Sequence, residues 1–195
     1  MPLKNTGTEN LIKETAKRLF FAEGKLHATT QEIADAAGVN RTSLHYYFRS
    51  RDLLVEAVFK EAMMGLSQRL DACFEENRPF REKIENLIGV FLEDMIAFPY
   101  QETFLVTEIN TLGKELMENI QSGPIHKFLK DIKTEMESGI LEKMDPAHFL
   151  MNLFSLLSYP LIMAPLYRQL FQISKEDFSV LINQRKEMIM GLLFK

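Results

Sequence analysis

The sequence predicts an all-α protein: a three-helix unit of helix-turn-helix form at the N-terminus, followed by a larger helical bundle. Three observations carry this. Apolar residues recur at three- and four-residue spacing along nearly the whole chain, and no segment alternates as a half-buried strand would. Gly, Pro, Ser, Thr, Asn and Asp fall where that pattern needs helix starts and stops. With 195 residues and 46% hydrophobic side chains, the chain can bury a core in one medium domain or two unequal ones.

Ile12, Ala16, Leu19 and Phe20 share one face of a first helix that runs into Gly24, a residue free to take the left-handed conformation that stops a helix. Thr29 or Thr30 caps a second helix, with Gln31 or Glu32 in its first turn and Ile33 and Ala37 facing inward. Gly38 ends that helix and Asn40 caps a third beginning at Arg41, so only Gly-Val-Asn separates the two. Ala34 supplies the small side chain that a steep crossing needs, and Val39 plugs the corner. Leu44, Tyr47 and Phe48 give the third helix an inner face, which turns Thr42, His45, Tyr46 and Arg49 outward. Exposed aromatics with hydrogen-bonding tips beside guanidinium groups suit phosphate oxygens and base edges, so this helix is the candidate DNA reader.

Leu54, Val58, Ala62, Leu66 and Leu70 then mark a long helix that starts near Arg51. The expected division is residues 1–52, which hold the candidate DNA-reading helix, and a helical domain over residues 53–195, to which the family resemblance given below assigns ligand binding and dimerisation. Pro79 opens a helix that ends near Phe98-Pro99, a shorter one follows around Glu102 to Leu112, and Pro124 introduces another through about Leu141. Asp145-Pro146 places a capping carboxylate before a proline at the first helical position, and the helix it starts is expected to kink at Pro160. Ser174 with Asp177 forms a capping-box variant ahead of one last helix. There Phe178, Leu181, Ile182, Ile189 and Leu192 make an apolar stripe broader than one neighbour covers, which predicts a two-fold homodimer interface. Met95, Phe98, Phe104, Met151 and Phe154 suit either an ordinary core or an apolar pocket, and Tyr159 supplies a polar tip among apolar neighbours.

The run "AKRLFFAEG" followed by "TTQEIADAAGVNRTSLHYYFRSRDLLVEAV" resembles the DNA-binding domain of TetR/AcrR-type transcriptional regulators over about residues 9–58. The resemblance implies a dimeric DNA-binding protein, usually a repressor, whose all-α C-terminal domain binds a small ligand. It places Thr42 and His45 against bases, with Arg41 and Ser43 beside them, and Thr30, Tyr46, Tyr47, Ser50 and Arg51 on phosphates. It raises the effector-pocket reading of Met95, Phe98, Phe104, Met151, Phe154 and Tyr159. The implied partners are double-stranded DNA with a near-palindromic operator, a second copy of the chain and a small-molecule effector; the alternative is a DNA-binding organiser controlled by a protein partner. The chain departs from the family pattern at Lys25 and Leu26, where Gly and an aromatic are usual, and at His45, where Tyr is usual.

Charge and composition fit this reading. Residues 1–51 carry eight basic side chains (Lys4, Lys13, Lys17, Arg18, Lys25, Arg41, Arg49, Arg51) and five acidic ones, a balance of +3 in a chain whose total is −4. Cys73 is the single cysteine, which rules out an internal disulfide and a multi-cysteine metal site. His27, His45, His126 and His148 form no paired catalytic or metal-binding spacing, so neither enzyme, cofactor nor metal is expected. The apolar stretches are interrupted by Asn, Ser and Pro and the polar N-terminus lacks a signal-peptide core, so a cytoplasmic protein with no membrane partner is expected.

Overall fold

The structure is a computed structural model that describes residues 6–75, 78–112 and 123–194. Lys4, counted above among the basic residues, lies outside them. The described residues form helices and their connections, in two compact units with separate hydrophobic cores.

The first unit is the described part of Met1–Gly65 and Phe98–Asn119. Helix α1 (Thr6–Lys17) continues into a π-helical turn, Arg18–Ala22, closed by the Glu23 N–H on the Arg18 carbonyl at 3.1 Å. The wider turn takes up one extra residue, and Leu19, Phe20 and Phe21 are all buried. Gly24 ends it at φ 71°, as its freedom at positive φ allows. Helix α2 (Thr30–Ala37) ends at Gly38, φ 66°, whose N–H and that of Val39 return to the last turn. Helix α3 (Arg41–Tyr47) is capped by Asn40, whose Oδ1 accepts from the Ser43 N–H at 2.7 Å. Helix α4 (Arg51–Glu75) starts with Ser50 Oγ accepting from the Leu53 N–H at 3.2 Å.

Helix α6 (Gln101–Leu112) completes this core. The Tyr100 N–H donates to the Phe21 carbonyl at 2.9 Å, and Phe104 stacks on Phe20 with ring centres 5.2 Å apart while meeting Phe21 edge-on at 5.1 Å. Lys13 Nζ ties α1 to Glu61 of α4 at 2.9 Å. The packing unit therefore extends beyond the expected boundary at residue 52: α4 gives Leu54, Val55, Val58, Phe59 and Ala62 to this core, and α6 joins it from across an intervening helix.

The second unit is the described part of Leu66–Ala97 and Ile120–Lys195. Its core gathers the end of α4, α5 (Phe80–Ala97), α7 (Gly123–Glu137), α8 (Pro146–Ile162) and two short C-terminal helices. Asp145 caps α8 through the Ala147 N–H at 2.8 Å with Pro146 at the first helical position. The expected kink at Pro160 is a larger event. Helix α8 ends at Ile162 and α9 (Ala164–Phe171) leaves at 67° to it. Pro160 has no N–H for the Leu156 carbonyl, and Arg185 supplies the missing donors, Nε at 3.0 Å together with Nη2.

Ser174 and Asp177 form the expected capping box at the start of α10 (Lys175–Asn183). The single last helix expected from sequence is instead two. The chain breaks at Gln184, and α11 (Arg185–Leu193) begins at the arginine anchored on α8. Among the described residues no single helix is long and apolar enough to cross a membrane.

Candidate nucleic-acid interface

The local chemistry of residues 24–51 fixes how α2 and α3 are presented. Either Thr29 or Thr30 suits the cap of α2 by sequence; the structure selects Thr29. Its Oγ1 accepts from the Glu32 N–H at 3.2 Å, and Glu32 Oε2 accepts from the Thr29 N–H at 2.7 Å. These bonds to the Thr29 backbone and hydroxyl hold the Glu32 carboxyl below its ordinary range. Thr30 is therefore the first helical residue and not the cap.

Leu44 is fully buried under α3 and Phe48 closes the core beneath it, while Arg41, Thr42, His45, Arg49 and Ser50 are exposed. Tyr46 is 57% exposed and packs edge-on against Tyr47 at 5.1 Å. Tyr47 is half-buried against the core, and Ser43 is half-buried with its N–H spent on the Asn40 cap. Thr42, His45 and Tyr46 sit at i, i+3 and i+4 of a short helix held at both ends, an arrangement that projects hydroxyl, imidazole and phenol groups to solvent together.

Arg51 is placed differently. Its Nε donates to the Ala28 carbonyl at 3.0 Å and its Nη2 to the Leu26 carbonyl at 2.5 Å, with the guanidinium 5.9 Å from the centre of the Phe20 ring. Donors expected on a phosphate are turned to the protein's own backbone. Composition and spacing gave no sign of this, because the carbonyls that Arg51 meets lie more than twenty residues away in sequence.

The profile of the bacterial regulatory proteins of the tetR family matches residues 12–58, the segment that builds this interface. The chain belongs to the TetR family of transcriptional regulators. It is 26% identical over 181 residues to the HTH-type transcriptional regulator RutR of Escherichia coli K12, covering 90% of this chain and 84% of that protein. It is 22% identical over 144 residues to the HTH-type transcriptional regulator YhgD of Bacillus subtilis, covering 71% and 74%. The fold matches that of HlyIIR, a hemolysin II transcriptional regulator, with a TM-score of 0.69 at 21% identity over 97% of this chain and 98% of that one. It also matches AibR in complex with isovaleryl coenzyme A and operator DNA, with a TM-score of 0.69 at 17% identity over 96% and 98%. This TetR-family chain is thus a DNA-binding transcriptional regulator, and its relatives are regulators and not enzymes.

The expected effector residues do not come together within either unit. Phe104 is fully buried in the first core, and Phe98 packs against that same core. Met95 and Phe154 belong to the second core, while Met151 and Tyr159 are exposed. Helical spacing identifies buried positions but does not say which core receives them. An open depression of about 430 Å³ lies elsewhere in the second unit, lined by Arg81, Glu85, Lys186, Glu187, Met190 and Gly191.

The expected interface residues also separate. Phe178, Ile182 and Ile189 are buried in the second unit's own core, whereas Leu181 and Leu192 are exposed and are joined outside by Val180 and Met188. The periodic pattern merged the two sets into one broad stripe, which burial divides into an inward edge of Phe178, Ile182 and Ile189 and an outward edge of Leu181 and Leu192.

Proposed function

We propose that this regulator is a homodimeric repressor that leaves a near-palindromic operator when an apolar or amphipathic small molecule binds its C-terminal helices. The observation that carries the DNA-reading part is the outward set Thr42, His45 and Tyr46 on α3 above a fully buried Leu44. In this reading Thr42 and His45 meet base edges, with Arg41 and Ser43 beside them, and Thr30, Tyr46, Tyr47 and Ser50 meet the backbone. Two copies joined through the exposed apolar residues of α10 and α11 would set two α3 helices about 34–36 Å apart, one turn of B-DNA. As a DNA-bound regulator the protein is expected in the cytoplasm.

Two observations on relatives support ligand control. AibR was crystallised with an acyl-coenzyme A and operator DNA, and a Clostridium perfringens protein of the same fold, TM-score 0.61, is a fatty acid metabolism regulator by description. A ligand acts here only through differential affinity. Weakening DNA binding tenfold requires a preference for the free protein of about 1.4 kcal/mol, and DNA must weaken the ligand by the same factor.

Selection of bound DNA from a random pool, repeated with short-chain and long-chain acyl-coenzyme A added, tests the reading. A palindromic consensus is expected, displaced by at least one acyl chain length. Thr42→Ala and His45→Ala should each cost about 1–3 kcal/mol on that site and change base preference, with melting temperatures unchanged. DNA binding without sequence preference in the parent protein would overturn the base-reading role. Equal acyl-coenzyme A affinity with and without operator would exclude ligand control of this kind and favour control by a protein partner.

A further inference from the structure

We infer that Arg51 is a positioning residue for DNA binding, whose guanidinium clamps the segment Leu26–Ala28 and so sets where the N-terminus of α2 meets the DNA backbone. The inference rests on the reading that this N-terminus faces a phosphate.

The clamp has a fixed base. Arg51 is the first residue of α4, whose start is held by the Ser50 cap, and its guanidinium lies over Phe20, fully buried in the π-helical turn. From there it grips two carbonyls at once, Ala28 at 3.0 Å and Leu26 at 2.5 Å. The planar fork of an arginine spans two acceptors in a fixed geometry, which a lysine ammonium cannot reproduce.

The gripped segment leads directly into α2. Ala28 is buried and its N–H donates to the Lys25 carbonyl at 3.0 Å, so the loop is a tight turn. The next residue, Thr29, is the α2 cap and Thr30 its first helical residue. The Thr30 and Gln31 N–H groups have no partner inside the helix and sit at its positive dipole end beside the Thr30 hydroxyl, while the Glu32 N–H is taken by Thr29, so the placement of this turn and of that hydroxyl governs any phosphate contact. A shift of the Leu26 and Ala28 carbonyls is therefore transmitted through one or two peptide units to these donors.

A carboxyl group lies within electrostatic reach of Arg51. Glu108 of α6 is half-buried, and burial pushes its carboxyl above the ordinary range while Arg51 and His27 pull it down and Asp52 pushes it up. Arg51 thus joins the start of α4 to the loop before α2, with the α6 carboxylate within its electrostatic reach.

The test uses the full chain and its selected operator, comparing Arg51→Lys, Arg51→Ala, Thr30→Ala and the Arg51→Lys/Thr30→Ala pair, all well below their melting temperatures. Arg51→Lys and Arg51→Ala should each weaken binding about tenfold, with the slope of log affinity against log salt unchanged. In the free Arg51→Lys protein, amide exchange at Glu32 and Ile33 should accelerate. The double variant should lose less affinity than the product of the single losses, because both act on one contact. A phosphate role predicts the opposite pattern: Arg51→Lys retains affinity, and Arg51→Ala lowers the slope by about 0.9. That result, multiplicative losses or unchanged exchange at Glu32 and Ile33 would each overturn the clamp. Undiminished affinity in Thr30→Ala with accelerated exchange in Arg51→Lys would instead remove the α2 phosphate contact on which the inference rests.

Discussion

The helix pair α2–α3 and the C-terminal helices α9–α11 leave different kinds of side chain in solvent. In α2 and α3 the residues Ile33, Ala34, Ala37 and Leu44 are buried, and those exposed are Gln31, Glu32, Asp35 and Ala36 on α2 and Arg41, Thr42, His45 and Tyr46 on α3. In the C-terminal unit α9 buries none of its residues, and Leu166, Leu170, Phe171, Val180, Leu181, Met188 and Leu192 all remain exposed. A surface that meets DNA must exchange hydrogen bonds with water for bonds to phosphates and bases, so its exposed groups are polar or amphipathic. An exposed apolar surface gains free energy only by covering itself, which is the property expected of a protein partner surface.

The comparison breaks most sharply at Ile189 and Leu192, three residues apart on α11. Ile189 is 0% exposed and Leu192 is 54% exposed. Ile189→Glu places an unpaired carboxylate in the second core and should cost on the order of 3–5 kcal/mol, seen as loss of helix at lower urea. Leu181→Glu with Leu192→Glu should leave the monomer fold within about 0.5 kcal/mol but halve the mass measured by light scattering. Unfolding by the exposed pair and mere dissociation by Ile189→Glu would reverse the assignment of core and interface.

The first core is probed through Phe104, which sequence left open between a core and an effector pocket and which the structure places on Phe20 and Phe21. Phe104→Ala should destabilise the first unit by about 3–5 kcal/mol, with hydrogen exchange accelerated in α1 and α2 more than in α8. A variant of unchanged stability that lost only effector affinity would return Phe104 to the pocket.

Glu108 gives the smallest effect. Burial raises its carboxyl above the ordinary 4.5, so the folded state binds that proton more tightly and loses stability as pH rises through the shifted value. Glu108→Gln should therefore melt slightly higher than the parent at pH 7, and the difference should vanish as the pH falls below about 4. A parent protein that melts higher than Glu108→Gln at pH 7 would show that Arg51 and His27 outweigh the burial.

Legibility of the fold differs in the same way between the regions. The starts of α2, α3, α4, α8 and α10 were readable because each is set by a side chain bonding to a backbone N–H two or three residues on. Gly24 and Gly38 were readable as stops because both adopt positive φ. The choice of Thr29 over Thr30 was not, since either hydroxyl suits the cap by sequence and only the structure shows Thr29 accepting from Glu32. The outward residues of α3 were legible because its short inner face has one register, whereas the pocket residues were not, because α6 lies apart in sequence from the core it joins.

Sequence by itself determined most helix starts, the stops at Gly24 and Gly38 and the polar-aromatic face of α3, because capping, positive φ and helical period act over a few residues. Tertiary structure decided which core takes Phe104, where Arg51 points, and that the last helix breaks at Gln184 with Ile189 inside and Leu192 outside. Each of these depends on groups distant in the chain. Pro160 removes the donor for the Leu156 carbonyl, Arg185 replaces it from 29 residues away, and no local pattern records that bond.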